Sequence, residues 1–273
     1  MKEDFVSDLS GVVGPHATGM VLLGFRGSIA HNTFVDPTDP VGVDDIDLMG
    51  AVVPAKRFVL GLREWGSRGT KEITSGPYDI VLYTMQKLVS LLLQGNPNVL
   101  SLLWIPNDLL ISAYTHDAGW RLRAYKELFV GKHVFNAFNG YAYAQFKKIF
   151  ATEFQGYMGA KRKELVTRFG YDTKNASHCI RLLRQGVEFL ERGELVVRRP
   201  DFEELMAIKK GEIPLPEVRS MAEDLFVKAK EARDTSPLPP EPQRDKAEEL
   251  LVSIIEEEWR KNAEDAGVKG LLR

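Results

Sequence analysis

The first half of the chain alternates short apolar runs with turn-forming residues, a pattern typical of a mixed α/β fold. Residues 21–25 are apolar and end near a glycine, while 45–53 alternate, then turn apolar and stop at Pro54. A third apolar stretch covers 78–83. Short runs bounded by glycine or proline are typical of buried strands. We therefore predict three strands there, with a loop over 35–43 between the first two.

Helical spacing dominates after about residue 115. An earlier helix is predicted over 85–94, with Thr84 as its N-cap and Gly95-Asn96-Pro97 after its end. A proline-rich stretch over 235–242 is predicted to be an extended connector. The other predicted helices cover 3–13, 120–129, 136–154, 175–192, 202–210, 217–233 and 245–262. The expected fold class is α+β, with an α/β unit over 1–115 and a helical unit over 116–273.

Composition narrows the class of protein. The chain has 273 residues, of which 44% are hydrophobic and 27% charged, values typical of a soluble globular protein and not of a disordered chain or a membrane bundle. Cys179 is the single cysteine, which excludes an intrachain disulfide framework and a cysteine-rich zinc site. No apolar run approaches the roughly 20 residues needed to span a bilayer. We expect a cytoplasmic protein with no membrane partner.

The near-neutral net charge of −2 hides a strong asymmetry along the chain. Residues 1–120 carry 8 basic and 13 acidic residues, residues 121–199 carry 16 and 7, and residues 200–273 carry 12 and 18. The basic middle segment suggests an anionic partner such as a nucleotide or a nucleic acid. The alternative is that these charges are scattered over helices and pair with the acidic last segment.

Three acidic residues on the predicted strands carry the strongest chemical signal. Asp45 and Asp47 are two residues apart, so both side chains point to one face of a strand. Two carboxylates without a salt-bridge partner repel each other, and their hard oxygen atoms suit Mg²⁺ or Mn²⁺. Asp79 lies on the third strand among apolar neighbours, where an unpaired acid is costly. Together they predict a site for two metal ions, as used in nucleotidyl transfer.

Gly27 and Ser28 follow the first predicted strand, where a glycine lets the backbone approach a phosphate and a hydroxyl can hold its oxygens. With this Gly-Ser pair ahead of Asp45, Asp47 and Asp79, the chain resembles the nucleotidyltransferases of the DNA polymerase beta superfamily. It is most similar to a bacterial and phage branch associated with RNA repair. The segments 95–98, 138–142 and 174–181 also resemble that branch.

This resemblance implies a polymerase-beta-like unit with a mixed sheet and assigns roles to particular residues. Asp45, Asp47 and Asp79 would be catalytic and would bind two Mg²⁺ or Mn²⁺ ions, while Gly27 and Ser28 would hold the β- and γ-phosphates of a nucleoside triphosphate. The chain departs from the superfamily pattern after the Gly-Ser pair, where an asparagine replaces the expected glycine. Asparagine tolerates left-handed backbone angles, so this loop is expected to keep the conformation of the superfamily.

The predicted helix over 175–192 has a polar stripe opposite its apolar face. Lys174, His178, Arg181 and Gln185 fall within this stripe at 100° per residue. An ordinary solvated face would look the same. By the resemblance, Lys174 and Arg181 would contact the triphosphate or a nucleic-acid phosphate, and His178 would contact phosphate or ribose. His178 and Cys179 are neighbours in sequence and not on one helix face, so a Cys/His nucleophile pair is not predicted.

Two further features concern Asp44 and the other histidines. Asp44 precedes the acidic pair at odd spacing, so its side chain is expected to point to the opposite face and to have at most a supporting role. His31, His116 and His133 are predicted to be surface or structural residues.

The leading hypothesis is a metal-dependent nucleotidyltransferase that transfers a nucleoside monophosphate to an acceptor hydroxyl and releases pyrophosphate. An RNA or DNA end as acceptor fits the basic middle segment, but a protein or small-molecule hydroxyl would also fit, because acceptor identity lies outside the metal motif. A non-catalytic member that binds nucleotide or nucleic acid as a sensor is the other alternative.

Overall fold

A computed structural model describes residues 9–149 and 159–271, and of residues 263–271 only the backbone. The first part contains a four-stranded sheet: β1 (Met20–Phe25), β2 (Ile46–Val52), β3 (Thr70–Ser75) and β4 (Tyr78–Thr84). Its order is β1-β2-β4-β3, in which β2 and β4 are parallel and the other two pairs antiparallel. The predicted mixed sheet is confirmed. β3 was missed, because its half-exposed, largely polar residues give no apolar run.

Helices form most of the remaining described chain. Short helix α1 (Leu9–Val13) precedes β1, α2 (Gly27–Ala30) and α3 (Lys56–Val59) lie between strands, and α4 (Met85–Leu93) and α5 (Pro97–Trp104) follow the sheet. Thr84 caps α4 by accepting a hydrogen bond from the Lys87 amide, as predicted. Asn96 caps α5 through the amides of Asn98 and Val99, so the residues that end one helix begin the next.

The second half is helical, as predicted. Its helices are α6 (Asp117–Ala124), α7 (Val134–Ile149), α8 (Ala160–Phe169), α9 (Thr173–Arg192), α10 (Phe202–Lys209), α11 (Leu215–Thr235) and α12 (Arg244–Leu271), with a 3₁₀ turn over Lys126–Phe129. Helices α5 and α8 were not predicted. Residues 3–8 and 150–154 of two predicted helices lie outside the described residues. Within the described chain, no helix has the length and apolarity to cross a bilayer.

One continuous set of buried apolar side chains joins the two halves. It includes Leu22, Leu48 and Leu82 of the sheet and also Phe189 of α9 and Ile254 of α12. The predicted boundary between residues 115 and 116 therefore does not separate two cores; as a division of the chain it stays a prediction. This packing brings α9 and α10 against the strand ends that carry the acidic residues.

Candidate active site

The register of two parallel strands places a pair of carboxylates side by side. Asp47 on β2 is the neighbour of Asp79 on β4, and Leu48 is the neighbour of Ile80. Neighbouring residues in register share a face of the sheet. Asp45 lies one residue before β2, which begins at Ile46, so it precedes the strand on which it was predicted, and it is exposed.

The acidic pair already has a cation beside it. The Arg26 guanidinium lies 3.4 Å from Asp47 Oδ1 and 3.5 Å from Asp79 Oδ2. The expectation that these carboxylates lack a salt-bridge partner is therefore wrong. Arg26 was not considered as a partner, because it lies 21 residues before Asp47 along the chain. Its place beside the motif is the one signal that could have identified it.

Burial shapes the acidity of Asp47. Burial raises the pKa of Asp47 to about 6, with Arg26 opposing and Asp79 and Asp45 adding to the increase. Near neutral pH this carboxylate is therefore an anion held in an environment that disfavours its charge. A cation placed against it would be stabilised.

Gly27 fits closely against this carboxylate. Its φ of 62° lies in the left-handed region, and a Cβ added there would come within 2.2 Å of Asp47 Oδ2. The backbone amide of Arg26 also donates to the Asp47 carbonyl at 2.9 Å. Asn32 adopts a φ of 60°, which confirms that asparagine takes the left-handed position in this loop.

A cleft of about 220 Å³ connects the Gly-Ser loop with helix α9. Arg26, Gly27, Ser28 and Asp47 line one side, whereas Asp45 and Asp79 lie outside its lining. The opposite side is formed by Lys174, Ser177, His178 and Arg181. The structure thus brings together the Gly-Ser pair, one catalytic candidate and the polar stripe of α9.

The polar stripe is not a solvated face. Arg181 and Gln185 are buried, and the Arg181 guanidinium donates to Gln185 Oε1 at 2.6 Å. Burial, with the nearby Arg199, lowers the pKa of Arg181 to about 9. Among the described residues Arg181 forms no ion pair, so its charge faces the cleft without a carboxylate partner.

Two histidines contribute neutral rings to this cleft. Burial, with the neighbouring cations Arg181 and Lys174, lowers the pKa of His178 far below its usual value, and its Nε2 atom is buried without a hydrogen-bond partner. Burial and Arg181 likewise keep the pKa of His31 low, and its Nδ1 lies 2.8 Å from the Val197 carbonyl oxygen. His31 was predicted to be a surface or structural residue, yet it lines the cleft.

Lys174 is held by a buried acid behind the cleft. Its Nζ lies 3.2 Å from Asp44 Oδ1, and Asp44 Oδ2 accepts a hydrogen bond from the buried Lys209. Lys209 also donates to the Thr33 carbonyl at 2.7 Å. Burial raises the pKa of Asp44, but the two ammonium groups outweigh it and lower that pKa. Asp44 thus links α9 and α10 to the loop before β2. Lys209 was not predicted as a site residue, because its neighbours in sequence form no recognisable motif.

The single thiol takes no part in this site. Cys179 is fully buried and its Sγ lies 3.4 Å from the Ala142 carbonyl oxygen. Burial raises the pKa of Cys179 to about 12, so the thiolate needed for nucleophilic attack is scarce. This agrees with the prediction that a Cys/His nucleophile pair is absent.

With the Gly-Ser loop, the acidic pair and the cationic cleft in place, the comparison with known proteins is decisive for the family. Residues 20–263 match RlaP, the RNA repair pathway DNA polymerase beta family. The chain belongs to this family. Its members share the polymerase-beta-like nucleotidyltransferase fold, so the resemblance stated from the motif is confirmed and the family supports nucleotidyl transfer in general.

More distant comparisons add little to the RlaP assignment. No curated protein sequence matches the chain. A nucleotidyltransferase-like protein from Exiguobacterium sibiricum 255-15, known from its crystal structure, is 13% identical over 82% of this chain and 73% of that chain, with a TM-score of 0.27. At that score the two backbones superpose too poorly to inform the site of this RlaP family member.

Proposed function

We propose that this protein transfers a nucleoside monophosphate from a nucleoside triphosphate to the hydroxyl at an RNA or other polynucleotide end, releasing pyrophosphate. One observation carries the proposal: the carboxylates of Asp47 and Asp79 are neighbours across two parallel strands, with Gly27 packed against Asp47 at a cationic cleft. That combination joins an acidic site for cations to a pocket for phosphates.

The carboxylates suit a divalent metal in their chemistry. Asp47 and Asp79 offer hard oxygen atoms on one face of the sheet, and the raised pKa of Asp47 marks a charge that a cation would stabilise. Among the described residues, no group of three or more acidic, histidine or cysteine side chains is gathered closely enough to hold a metal. Completing a two-ion site would require Asp45 to turn toward the pair and Arg26 to move away.

In this proposal Asp45, Asp47 and Asp79 hold two Mg²⁺ or Mn²⁺ ions. Bound ions would stabilise charge on the phosphoryl group and lower the pKa of the acceptor hydroxyl. The chain itself positions the substrate. Gly27 presents no side chain to an approaching phosphate, and the Ser28 hydroxyl lies in the same cleft.

The α9 side of the cleft would hold the phosphates. Arg181, without a carboxylate partner, supplies a fixed positive charge for the triphosphate or the leaving pyrophosphate. Lys174 lies at the rim, oriented by Asp44. His178 is neutral, so it would hydrogen-bond a phosphate or ribose oxygen through a protonated Nε2.

The test is transfer of label from each α-labelled nucleoside triphosphate, with Mg²⁺ or Mn²⁺, to separate pools of RNA, DNA and protein. We expect label on a polynucleotide end, and we expect Asp47→Asn and Asp79→Asn to abolish transfer while the protein stays folded by circular dichroism. Asp108→Asn, an exposed acid paired with Arg198, is the matched control and should keep wild-type activity.

Other outcomes would contradict the proposal. Wild-type transfer by Asp47→Asn or Asp79→Asn would reject the assignment of the carboxylates. Label on protein alone would replace the acceptor with a protein hydroxyl. Nucleotide binding without transfer to any pool would favour a non-catalytic sensor, in which Arg26 permanently neutralises the acidic pair.

A further inference from the structure

The first 120 residues are acidic overall, but most of their basic residues lie in one stretch of the chain after β2. Residues 1–120 contain eight basic residues, and six of them fall between the end of β2 and the first turn of α4. They surround a groove of about 670 Å³ that Arg63, Arg68 and Lys87 line directly. We call this region the basic groove, defined by Lys56, Arg57, Arg63, Arg68, Lys71 and Lys87.

Of the remaining three members, Lys71 and Arg57 contact aromatic rings of the groove lining. Lys71 Nζ lies 4.5 Å above the Trp65 ring, and the Arg57 guanidinium lies 5.2 Å above the Phe58 ring. Both rings line the groove. Lys56 is exposed, and its Nζ lies 5.4 Å above the ring of Trp259, which is outside the groove lining. Five of the six cations therefore line one depression in the surface or contact its lining rings.

Their charge is not neutralised within the described part of the chain. There, none of the six forms an ion pair with a carboxylate, whereas Arg26, the other basic residue of the sheet region, has two. Residues 54–71 carry five basic residues and one acidic residue, Glu64. A concentration of unpaired positive charge on an otherwise acidic unit indicates an anionic partner.

The groove also offers apolar surface and an unsatisfied polar atom. Leu62 is fully exposed and Leu60 is 74% exposed, beside the half-buried Phe58. Gln86 Oε1, in the lining of the groove, is buried without a hydrogen-bond partner. Apolar side chains next to cations suit nucleobases and their phosphates, and an amide oxygen can accept from a base amino group or a ribose hydroxyl.

Backbone geometry fixes one of the cations. Arg68 has a φ of 50°, unusual for a residue with a side chain, within a turn where Gly66 and Gly69 also have positive φ. Ser67 and Thr70 close this turn with reciprocal backbone hydrogen bonds. The turn holds Arg68 at the groove in a conformation that local sequence preference would not select.

We propose that the basic groove binds single-stranded nucleic acid, as the body of the acceptor strand whose end enters the cleft; the inference rests on the proposed function. Thr84 in the groove lining lies five residue steps along β4 from Asp79, about 17 Å at roughly 3.3 Å per residue. A stacked strand advances about 3.4 Å per nucleotide, so about five nucleotides span this distance. In this complex the phosphates contact the cations and the bases pack on Leu62 and Phe58. The groove therefore binds strands of many different sequences.

The experiment measures binding by fluorescence anisotropy, with the full chain, no nucleotide, and RNA strands with blocked 3′ ends. The strands have about three or about twelve nucleotides, shorter and longer than the span. The test variant is Arg63→Gln/Arg68→Gln/Lys87→Gln. The matched control, Arg192→Gln/Lys228→Gln/Lys230→Gln, removes three exposed charges from α9 and α11.

We expect the test variant to bind the long strand more weakly and with a shallower salt dependence. Each phosphate contact contributes about 0.7 to the slope of log affinity against log salt, so three contribute about 2. Between about 50 and 200 mM salt, wild-type affinity should then fall about 20-fold more than that of the variant. Binding of the short strand and of the control should change little. Leu62→Ser should weaken long-strand binding with an unchanged salt slope.

Three results would overturn the inference. The first is equal long-strand affinity for wild type and test variant, both folded by thermal unfolding. The second is equal weakening in the control, which would show unspecific charge attraction. The third is groove-dependent binding to phosphatidylserine vesicles with unchanged strand binding, which would assign the surface to a membrane. Because the strands are blocked, loss of groove binding and absence of nucleotidyl transfer are read independently.

Discussion

The basic middle segment and the acidic first unit present their charges in opposite ways. Residues 121–199 contain 16 basic residues, and seven of these form ion pairs in the described chain. Arg123 and Lys161 donate to backbone carbonyls instead. Residues 1–120 have more acidic than basic residues, yet their basic groove has no such partners among the described residues.

The difference shows that the net charge of a segment does not describe the surface it presents. Most positive charges of the middle segment form ion pairs, bind backbone carbonyls or line one cleft, as in the bidentate pair of Arg199 with Glu188. The alternative that these basic residues pair with the acidic last segment is therefore confirmed in part, since Arg184 forms ion pairs with Asp201 and Glu204. The surface best suited to a polyanion lies in the unit with the negative total.

The largest expected loss of stability comes from removing the buried carboxylate of Asp44, which is paired with two lysines. Asp44→Asn leaves two ammonium groups, Lys209 and Lys174, without their shared carboxylate in a buried setting. Removing one partner of a buried ion pair costs about 3–5 kcal/mol. Urea unfolding should show this loss in the free energy of unfolding. Asp108→Asn, which breaks an exposed pair, should cost less than about 1 kcal/mol; equal losses would contradict the contrast.

Asp47 is an intermediate case, because its carboxylate is half-buried and only partly paired. Its pKa is raised from 3.8 to about 6, so the native state binds this proton more tightly than the unfolded state does. The associated stability is present below pH 3.8 and is lost as pH rises through about 6. Relative to Asp47→Asn, wild type should lose at most about 3 kcal/mol across this window. Parallel stability curves for the two proteins between these pH values would reject the shifted pKa.

Arg26 tests whether its guanidinium competes with a metal for the acidic pair. Arg26→Gln removes the cation from Asp47 and Asp79, so we expect Mn²⁺ to bind about tenfold more tightly, equivalent to about 1.4 kcal/mol. Isothermal titration with Mn²⁺ alone measures this without catalysis. Arg198→Gln, which frees the exposed Asp108, is the control and should leave Mn²⁺ affinity unchanged. Weaker binding by Arg26→Gln would show that Arg26 supports the metal.

The smallest effect on stability is expected in the basic groove. Unpaired cations at a surface stabilise little, so Arg63→Gln, Arg68→Gln and Lys87→Gln should each change the free energy of unfolding by less than about 0.5 kcal/mol. Urea unfolding of the three single variants measures this. A loss above about 1 kcal/mol in any of them would indicate a structural role and weaken the contrast with Asp44.

Much of the fold followed from local patterns. Apolar runs located β1, β2 and β4 within one or two residues, and the helices after residue 115, apart from α8, followed from their spacing. Strand β3 was not predicted because a half-exposed edge strand such as Thr70–Ser75 has few apolar side chains. Helix α5 was not predicted because Gly95-Asn96-Pro97 was taken only as the end of the preceding helix, although Asn96 is also the N-cap of α5.

The sequence by itself determined the family and the motif, because the Gly-Ser pair, the acidic pair and Asp79 occur in a fixed order along local elements. Only the tertiary structure decided which charges are paired. Arg26 meets Asp47 and Asp79 through strand register, and Lys209 reaches Asp44 across 165 residues of chain. Electrostatic energy depends on distance and burial in space, so neither pairing nor the basic groove can be read from spacing along the chain.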